Sequence, residues 1–429
     1  MFFDPDRTPL RDMTTTASPF NREQQHQQKR QAILSEAAKL FNRQGTRATT
    51  LAEIAARLQL TKTSLYYYVK TKEELIYLCY LNSCNEQDKL YRLAAAAGIS
   101  GRQRIEQLTR AYFCSCQNIA LKRQAEAAVL TEIKTLKDKH RKDISRRYRA
   151  LYRGVRGFIE QGVADGSLVS RDPAATALAF FFNLQWTFTW LQMLKAEEIP
   201  AAGESFLDIC LHGFATEPRE PPRQTPALGS PAIEAGFDRS VQSQRKQAAF
   251  FRTGSRYFNS KGFKGTSLDE IARALDVTKG AFYYHIQSKE DLLYQCFKRT
   301  LDLTAQMQAR ARRSGDGLTQ LQLCLHYLFC IQSSAEGPLV RYNLVNALDA
   351  RRRKKVIELI RGVDRQFRQF VQTGIDDGSI RPLNTLVAEQ MISGTLNASA
   401  DLDERLPTAA PGRLSADFYQ MLFDGISAQ

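Results

Sequence analysis

A chain of 429 residues, 43% hydrophobic and 24% charged, is long enough for two or more domains with full cores and too apolar to be disordered. Lys and Arg outnumber Asp and Glu by 60 to 45, a net charge of +15, which favours polyanionic partners without choosing between nucleic acid and an acidic membrane. No stretch reaches the roughly 18 uninterrupted apolar residues of a spanning helix, and the N-terminus lacks the apolar run of a signal peptide, so a cytoplasmic protein is expected.

Residues 1–27 read as a polar, disordered tail. From residue 28, Ile33, Ala37, Leu40 and Phe41 recur at helical spacing, and Gly45 is a C-terminal stop. Thr50 with Glu53 forms a capping box for a second helix whose stripe is Leu51, Ile54, Ala55 and Leu58. Thr61 caps a short third helix, "KTSLYYY", and Thr71 with Glu74 opens a fourth. Two short helices joined by a tight turn and docked on a preceding one describe a helix-turn-helix.

The segment "TKTSLYYYVKTKEEL" at Thr61 returns as "TKGAFYYHIQSKEDL" at Thr278, an offset of 217 positions. At that offset residues 32–75 align without a gap and are identical at 17 of 44 positions. The second copy repeats the caps as Ser267 with Glu270 and Ser288 with Asp291. Each copy leads into a long helical region, and these are related too: "FIEQGVADGSLVSRD" at Phe158 resembles "FVQTGIDDGSIRPLN" at Phe370, now offset by 212. Between them, Ala215–Ser240 is rich in Pro, Gly and polar residues, a linker that could extend up to about 80 Å.

The third helix carries the chemistry. Thr61, Lys62, Thr63 and Ser64 stand at its N-terminal end, where small polar side chains and free backbone N–H groups meet DNA. Of Tyr66 and Tyr67, one is expected to pack inward and the other to offer its hydroxyl to a phosphate. Thr49 and Thr50, before the second helix, and Lys72, opening the fourth, complete the candidate set. The second copy presents Thr266, Ser267, Thr278, Lys279, Gly280 and Ala281, followed by Tyr283, Tyr284, His285 and Lys289. Tyr67, Lys72, Tyr284 and Lys289 are the expected phosphate contacts.

Both copies resemble the N-terminal domain of the tetracycline-repressor (TetR) family of bacterial transcription regulators, as "LTKTSLYYYVKTKEEL" and "VTKGAFYYHIQSKEDL", with Val69 and Ile286 where the family usually has Phe. The resemblance implies an all-α fold of two tandem subunits, each a helix-turn-helix domain (28–80 and 241–297) followed by a helical ligand-binding and dimerisation domain (81–214 and 298–429). It also implies a two-fold arrangement, here inside one chain, on a double-stranded DNA operator; further association of two chains is the alternative. A nucleoid-associated location, a repressor role and a small-molecule effector follow from it.

For the effector, "ALAFFFNLQWTFTWLQ" at Ala177 holds both tryptophans of the chain. Phe182, Trp186 and Trp190 line either a pocket or the subunit interface, and Arg149 and Arg153 upstream either hold ligand phosphates, lie solvated, or attract DNA. The combination resembles the acyl-CoA-responsive branch of the family. In the second copy Ala398 and Leu402 replace the tryptophans, so the pocket is expected mainly in the first.

No CxxC pair occurs among the eight cysteines and histidines number five, so no metal or cofactor is expected and the thiols read as buried packing. Without a Gly-rich phosphate loop, metal cluster or nucleophile motif, an enzyme is disfavoured. A ligand-independent architectural DNA-binding protein is the third reading.

Overall fold

The computed structural model describes residues 19–130, 132–220, 222, 239–332, 334, 336–399 and 411–428. The first unit comprises α1 (Pro19–Ala48), α2 (Leu51–Arg57), α3 (Lys62–Tyr68), α4 (Lys72–Ala97), α5 (Gly101–Ala120), α6 (Asp138–Ala164), α7 (Pro173–Trp186) and α8 (Ile199–His212). The second repeats it as α9 (Arg239–Gly265), α10 (Leu268–Ala274), α11 (Lys279–His285), α12 (Lys289–Ala311), α13 (Gly317–Gln332), α14 (Ala350–Asp376), α15 (Thr385–Ser399) and α16 (Pro411–Phe423). Among the described residues no helix is long and apolar enough to cross a membrane, and no group of His, Cys, Asp and Glu could hold a metal.

The caps behave largely as the sequence dictates. The hydroxyls of Thr50, Thr61, Thr71, Thr278 and Ser288 each accept a backbone N–H from the residue three positions on. Ser267 is the exception and makes no side-chain cap bond. Gly45 and Gly262 break their helices with φ of +80° and +70°, and the turn before each reading helix passes through the left-handed region at Gln59 and Asp276.

Two expectations of extent need correction. Residues 19–27, read as tail, belong to α1, while residues 1–18 lie outside the described residues. The linker is pinned at its start: Ala215 N–H donates to the Phe423 carbonyl (3.0 Å), Thr216 N–H to that of Ser379 (3.1 Å), and Arg219 meets Asp316 at 2.5 Å. Most of the rest of 215–240 falls outside the described residues.

Each head hooks onto its own body through an asparagine. Asn42 donates to the Ala127 carbonyl (3.0 Å) and accepts from Val129 N–H (2.9 Å). Asn259 does the same with Leu339 (2.8 Å) and Arg341 (3.1 Å). Between the units, α7 and α8 pack on α15 and α16 as a four-helix bundle. At its centre Asn183 donates to the hydroxyl of Thr395 at 2.7 Å, and these two positions are related by the body offset of 212.

The chain ends cross over in the same symmetric manner. Leu168 bridges to Ser427 and Ala215 to Ile380, so each partner exchanges with the other at offset 212. Val169 N–H donates to the Ile426 carbonyl (2.8 Å), and Arg381 N–H to that of Phe214 (3.0 Å). Gly213 and Gly425, with φ of +67° and +74°, let the crossing backbones touch; a Cβ on either would collide with the backbone of the other unit. Finally, the turn Tyr342–Ala347 rests on α1 and the turn Ile133–Thr135 on α9, each at the glycine stop of the opposite unit's first helix.

Candidate nucleic-acid interface and a basic cleft

The reading helices are held by one apolar anchor each, Leu65 in α3 and Phe282 in α11, both buried. The buried Val69 and Ile286 close the base of each. This leaves the opposite face free. Thr61, Lys62, Thr63 and Ser64 are exposed, as are Thr278, Lys279, Gly280 and Ala281. Tyr67 and Tyr284 are 76% and 85% exposed, the outermost rings of the two helices. Tyr66 and Tyr283, at 42% and 45%, are exposed as well, so neither tyrosine of a pair packs inward. The residue turned toward the head is the next one, Tyr68 or His285, the latter against Phe250 with centroids 5.8 Å apart.

Four candidates are turned elsewhere. Thr49 and Thr266 are buried, and their hydroxyls donate to the carbonyls of Gly45 (3.0 Å) and Gly262 (2.7 Å), closing the ends of α1 and α9 rather than facing DNA. Lys72 Nζ donates to the Arg47 carbonyl (3.1 Å) and Lys289 Nζ to that of Thr266 (2.9 Å), with Lys289 also over the Phe263 ring. Desolvation, the largest cause, lowers both ammonium pKa values from the usual lysine range. A phosphate would have to draw them outward. Thr50 and Ser267 stay at the helix-opening positions.

Three features of the heads were not foreseen from the sequence. His26, in the extended α1, lies against Tyr67 and Tyr68 (5.7 and 4.8 Å between centroids). Asp269 grips Lys279 at 2.6 Å, and Arg47 of the first head meets Glu290 of the second at 2.9 Å. The first depends on how α1 packs along α3, the second on side-chain reach across the turn between α10 and α11, and the third on how the units dock, none of which a local pattern signals.

Beneath the heads, between the units, lies a cleft of about 1220 Å³. Its walls carry Arg141, Lys142, Arg146, Arg149, Arg153 and Arg156 from α6, with Arg47, Lys134, Lys261, Lys264 and Arg341; among the described residues that line it, Glu132 is the one carboxylate. Arg149 and Arg153 pair with no described carboxylate, while Arg146 and Arg156 are held by Asp143 and Glu160. Tyr148, Tyr152, Phe182, Phe258 and Leu344 supply an apolar portion. The cleft exceeds the usual range of roughly 300–1,000 Å³ for small-molecule sites.

Trp186 and Trp190 are not among its walls. Trp190 is buried against Phe113, and Trp186 packs toward the second unit, near Tyr342 (6.3 Å between centroids) and Gly394. The interface between the units accounts for Trp186, at the end of α7, while Trp190 lies beyond that helix in the core of the first unit. Six of the eight thiols are buried packing residues, Cys116 is half-buried and Cys114 exposed; burial pushes the thiols of Cys84 and Cys296 up to about 12.

Residues 33–77 and 251–296 match the family described as bacterial regulatory proteins, tetR family, and residues 101–214 match the tetracyclin repressor-like, C-terminal domain. The chain belongs to the TetR family of transcriptional regulators. It carries the TetR reading domain twice. The HTH-type transcriptional repressor KstR2 of Rhodococcus jostii is 28% identical over 193 residues, 44% of this chain and 92% of that protein. The Tn10 TetC protein of Escherichia coli is 48% identical over 44 residues, 10% of this chain and 22% of that protein. Among solved structures, AibR in complex with isovaleryl coenzyme A and operator DNA aligns at 20% identity and a TM-score of 0.37, covering 42% of this chain and 97% of that one. A TetR-family protein from Rhodococcus RHA1 aligns at 23% identity and the same TM-score of 0.37, over 42% and 94%.

Proposed function

We propose that this TetR-family regulator is a sequence-specific repressor acting as a covalently fused pseudo-dimer, one chain to one operator, tuned by a small-molecule effector in the central cleft. The observation that carries the reading is the exchanged pairing of Leu168 with Ser427 and Ala215 with Ile380. In a two-fold interface residue i meets j while j meets i, and this chain satisfies that relation internally at offset 212. A lone helix-turn-helix makes few contacts; two at fixed separation bind as one bivalent unit.

The effector reading is supported by the cleft. A long ligand with phosphates at one end and an acyl chain at the other, an acyl-CoA, matches Arg149 and Arg153 beside Tyr148, Tyr152 and Phe182. The cleft also touches both heads at Arg47 and Lys264, so a bound molecule that prefers one arrangement biases their separation. Light scattering with a stoichiometric titration tests the first part: one chain per minimal operator is expected, and two chains, giving four heads, would sink it. Calorimetry with acyl-CoAs tests the second, with one site per chain expected. Heatless titrations together with intact DNA binding would favour the ligand-independent architectural reading.

A further inference from the structure

The two reading heads differ at the positions that face DNA, and the differences run in one direction. In the first head Lys62 has no carboxylate partner among the described residues; its ammonium leans over the Tyr66 ring at 6.0 Å. The residue one helix back is Ala52. In the second head that position is Asp269, whose carboxylate lies 2.6 Å from Lys279 Nζ. An exposed pair of this kind is worth little to stability, but it engages the ammonium that the first head leaves free to reach a base edge. Thr63 and Ser64 offer hydroxyls, where Gly280 and Ala281 offer none. A Cβ on Gly280 would meet nothing within 4 Å, so no packing demand of the protein explains the glycine.

The second unit gains charge nearby. The start of α14 reads Arg351, Arg352, Arg353, Lys354, Lys355, where α6 has Lys139, His140, Arg141, Lys142, Asp143. In α6 several of these are engaged: His140 meets Glu73 at 2.8 Å and Arg141 meets Asp138 at 2.6 Å. In α14 Arg352 is paired, with Asp349 at 2.9 Å and Asp291 at 4.0 Å; the other four meet no carboxylate among the described residues. Asp291 belongs to the first turn of α12, whose cap Ser288 follows the reading helix by three residues, so the cluster flanks the second head.

We infer that the heads divide their work, the first specifying base sequence and the second, with the Arg351–Lys355 cluster, anchoring on the DNA backbone. The inference rests on the pseudo-dimer reading, because a symmetric pair of chains would present both heads to each half-site. Groups on base edges discriminate and groups on phosphates do not, so the operator has one strict and one tolerant half.

The experiment uses the full chain and the operator it selects from random duplexes. Single base-pair substitutions are expected to cost roughly 10-fold or more in one half-site and about 3-fold or less in the other. The exposed-site variant D269A/G280T/A281S is expected to make the tolerant half strict. The variant R351A/K354A/K355A is expected to weaken binding to every sequence and lower the salt slope by about one for each phosphate no longer neutralised, with base preference unchanged. Equal sensitivity of the two halves in the unmodified chain would overturn the inference, as would an unchanged salt slope in the α14 variant. Stoichiometry is read first: two chains per operator would overturn the pseudo-dimer reading and this inference with it.

Discussion

The first head owns a separate core, in which Ile33, Ala37, Ile54, Leu65 and Leu75 close on Ile144 at the start of α6. The equivalent side chains of the second head, among them Phe250, Ile271, Phe282 and Leu292, run without a break into the core shared by both bodies. The bodies have diverged as well. Tyr152, Ala177 and Phe181 of the first unit stand where the second has Asp364, Glu389 and Ser393, a polar cluster in which Ser393 donates to Asp364 (2.8 Å) and Arg368 to Glu389 (2.5 Å). Two subunits of a homodimer cannot drift apart in this way, because each mutation appears in both. Within one polypeptide they can, and the residues that have not drifted mark what both halves still need.

The crossover is what the two halves share most closely, and breaking it is expected to have the largest effect. Gly213→Val and Gly425→Val each force a branched side chain into a left-handed backbone against the facing chain, and each is expected to cost about 3 kcal/mol or more. Thermal unfolding of the two variants should show matching losses; a tolerated change at one glycine would mean that the two crossings are unequal.

The walls of the cleft sharpen the contrast between bodies. Arg149→Ala with Arg153→Ala is expected to lower acyl-CoA affinity by roughly 10-fold or more, from the loss of charge-assisted hydrogen bonds. Their counterparts at offset 212, Arg361 and Arg365, are exposed away from the cleft, and their replacement by Ala should leave calorimetric affinity unaltered. Trp186→Phe should also leave it unaltered, since that ring faces the interface.

The smallest effect separates the polar cluster from its aromatic counterpart by pH. Burial raises the Asp364 carboxyl to about 7, with Glu389 adding to the rise and Ser393 and Arg368 opposing it. Its proton is retained in the folded chain after the unfolded chain has released it near the ordinary value, so stability falls as pH climbs from about 4 to 7 and levels off above. Asp364→Asn should therefore raise the melting temperature at pH 8 more than at pH 4. Tyr152→Phe in the first unit should show no such difference.

The repeat, the capped helices and the reading face were legible because they are local: a threonine three residues before the backbone N–H that it accepts, or a glycine at a helix stop, acts over a few residues. What failed to read involved choices among equally local options. Thr49 and Thr50 are adjacent hydroxyls, and only the folded chain decides that one caps α2 while the other is buried on Gly45. A predominantly apolar helix such as α7 must be buried, but its composition cannot say whether the cover is a ligand or a second bundle. Lys72 and Lys289 sit at the expected helix openings, yet the nearby carbonyls capture them.

Because the turn of each body seats the first helix of the opposite head, at Gly45 and Gly262, the two halves are wired crosswise. Neither head is steadied by its own half alone. A gene shortened to one unit would lose a reading helix and also the support under the helix that remained. Such a duplication is therefore hard to undo: once both seats lie in one chain, deletion of either half damages the half that is kept.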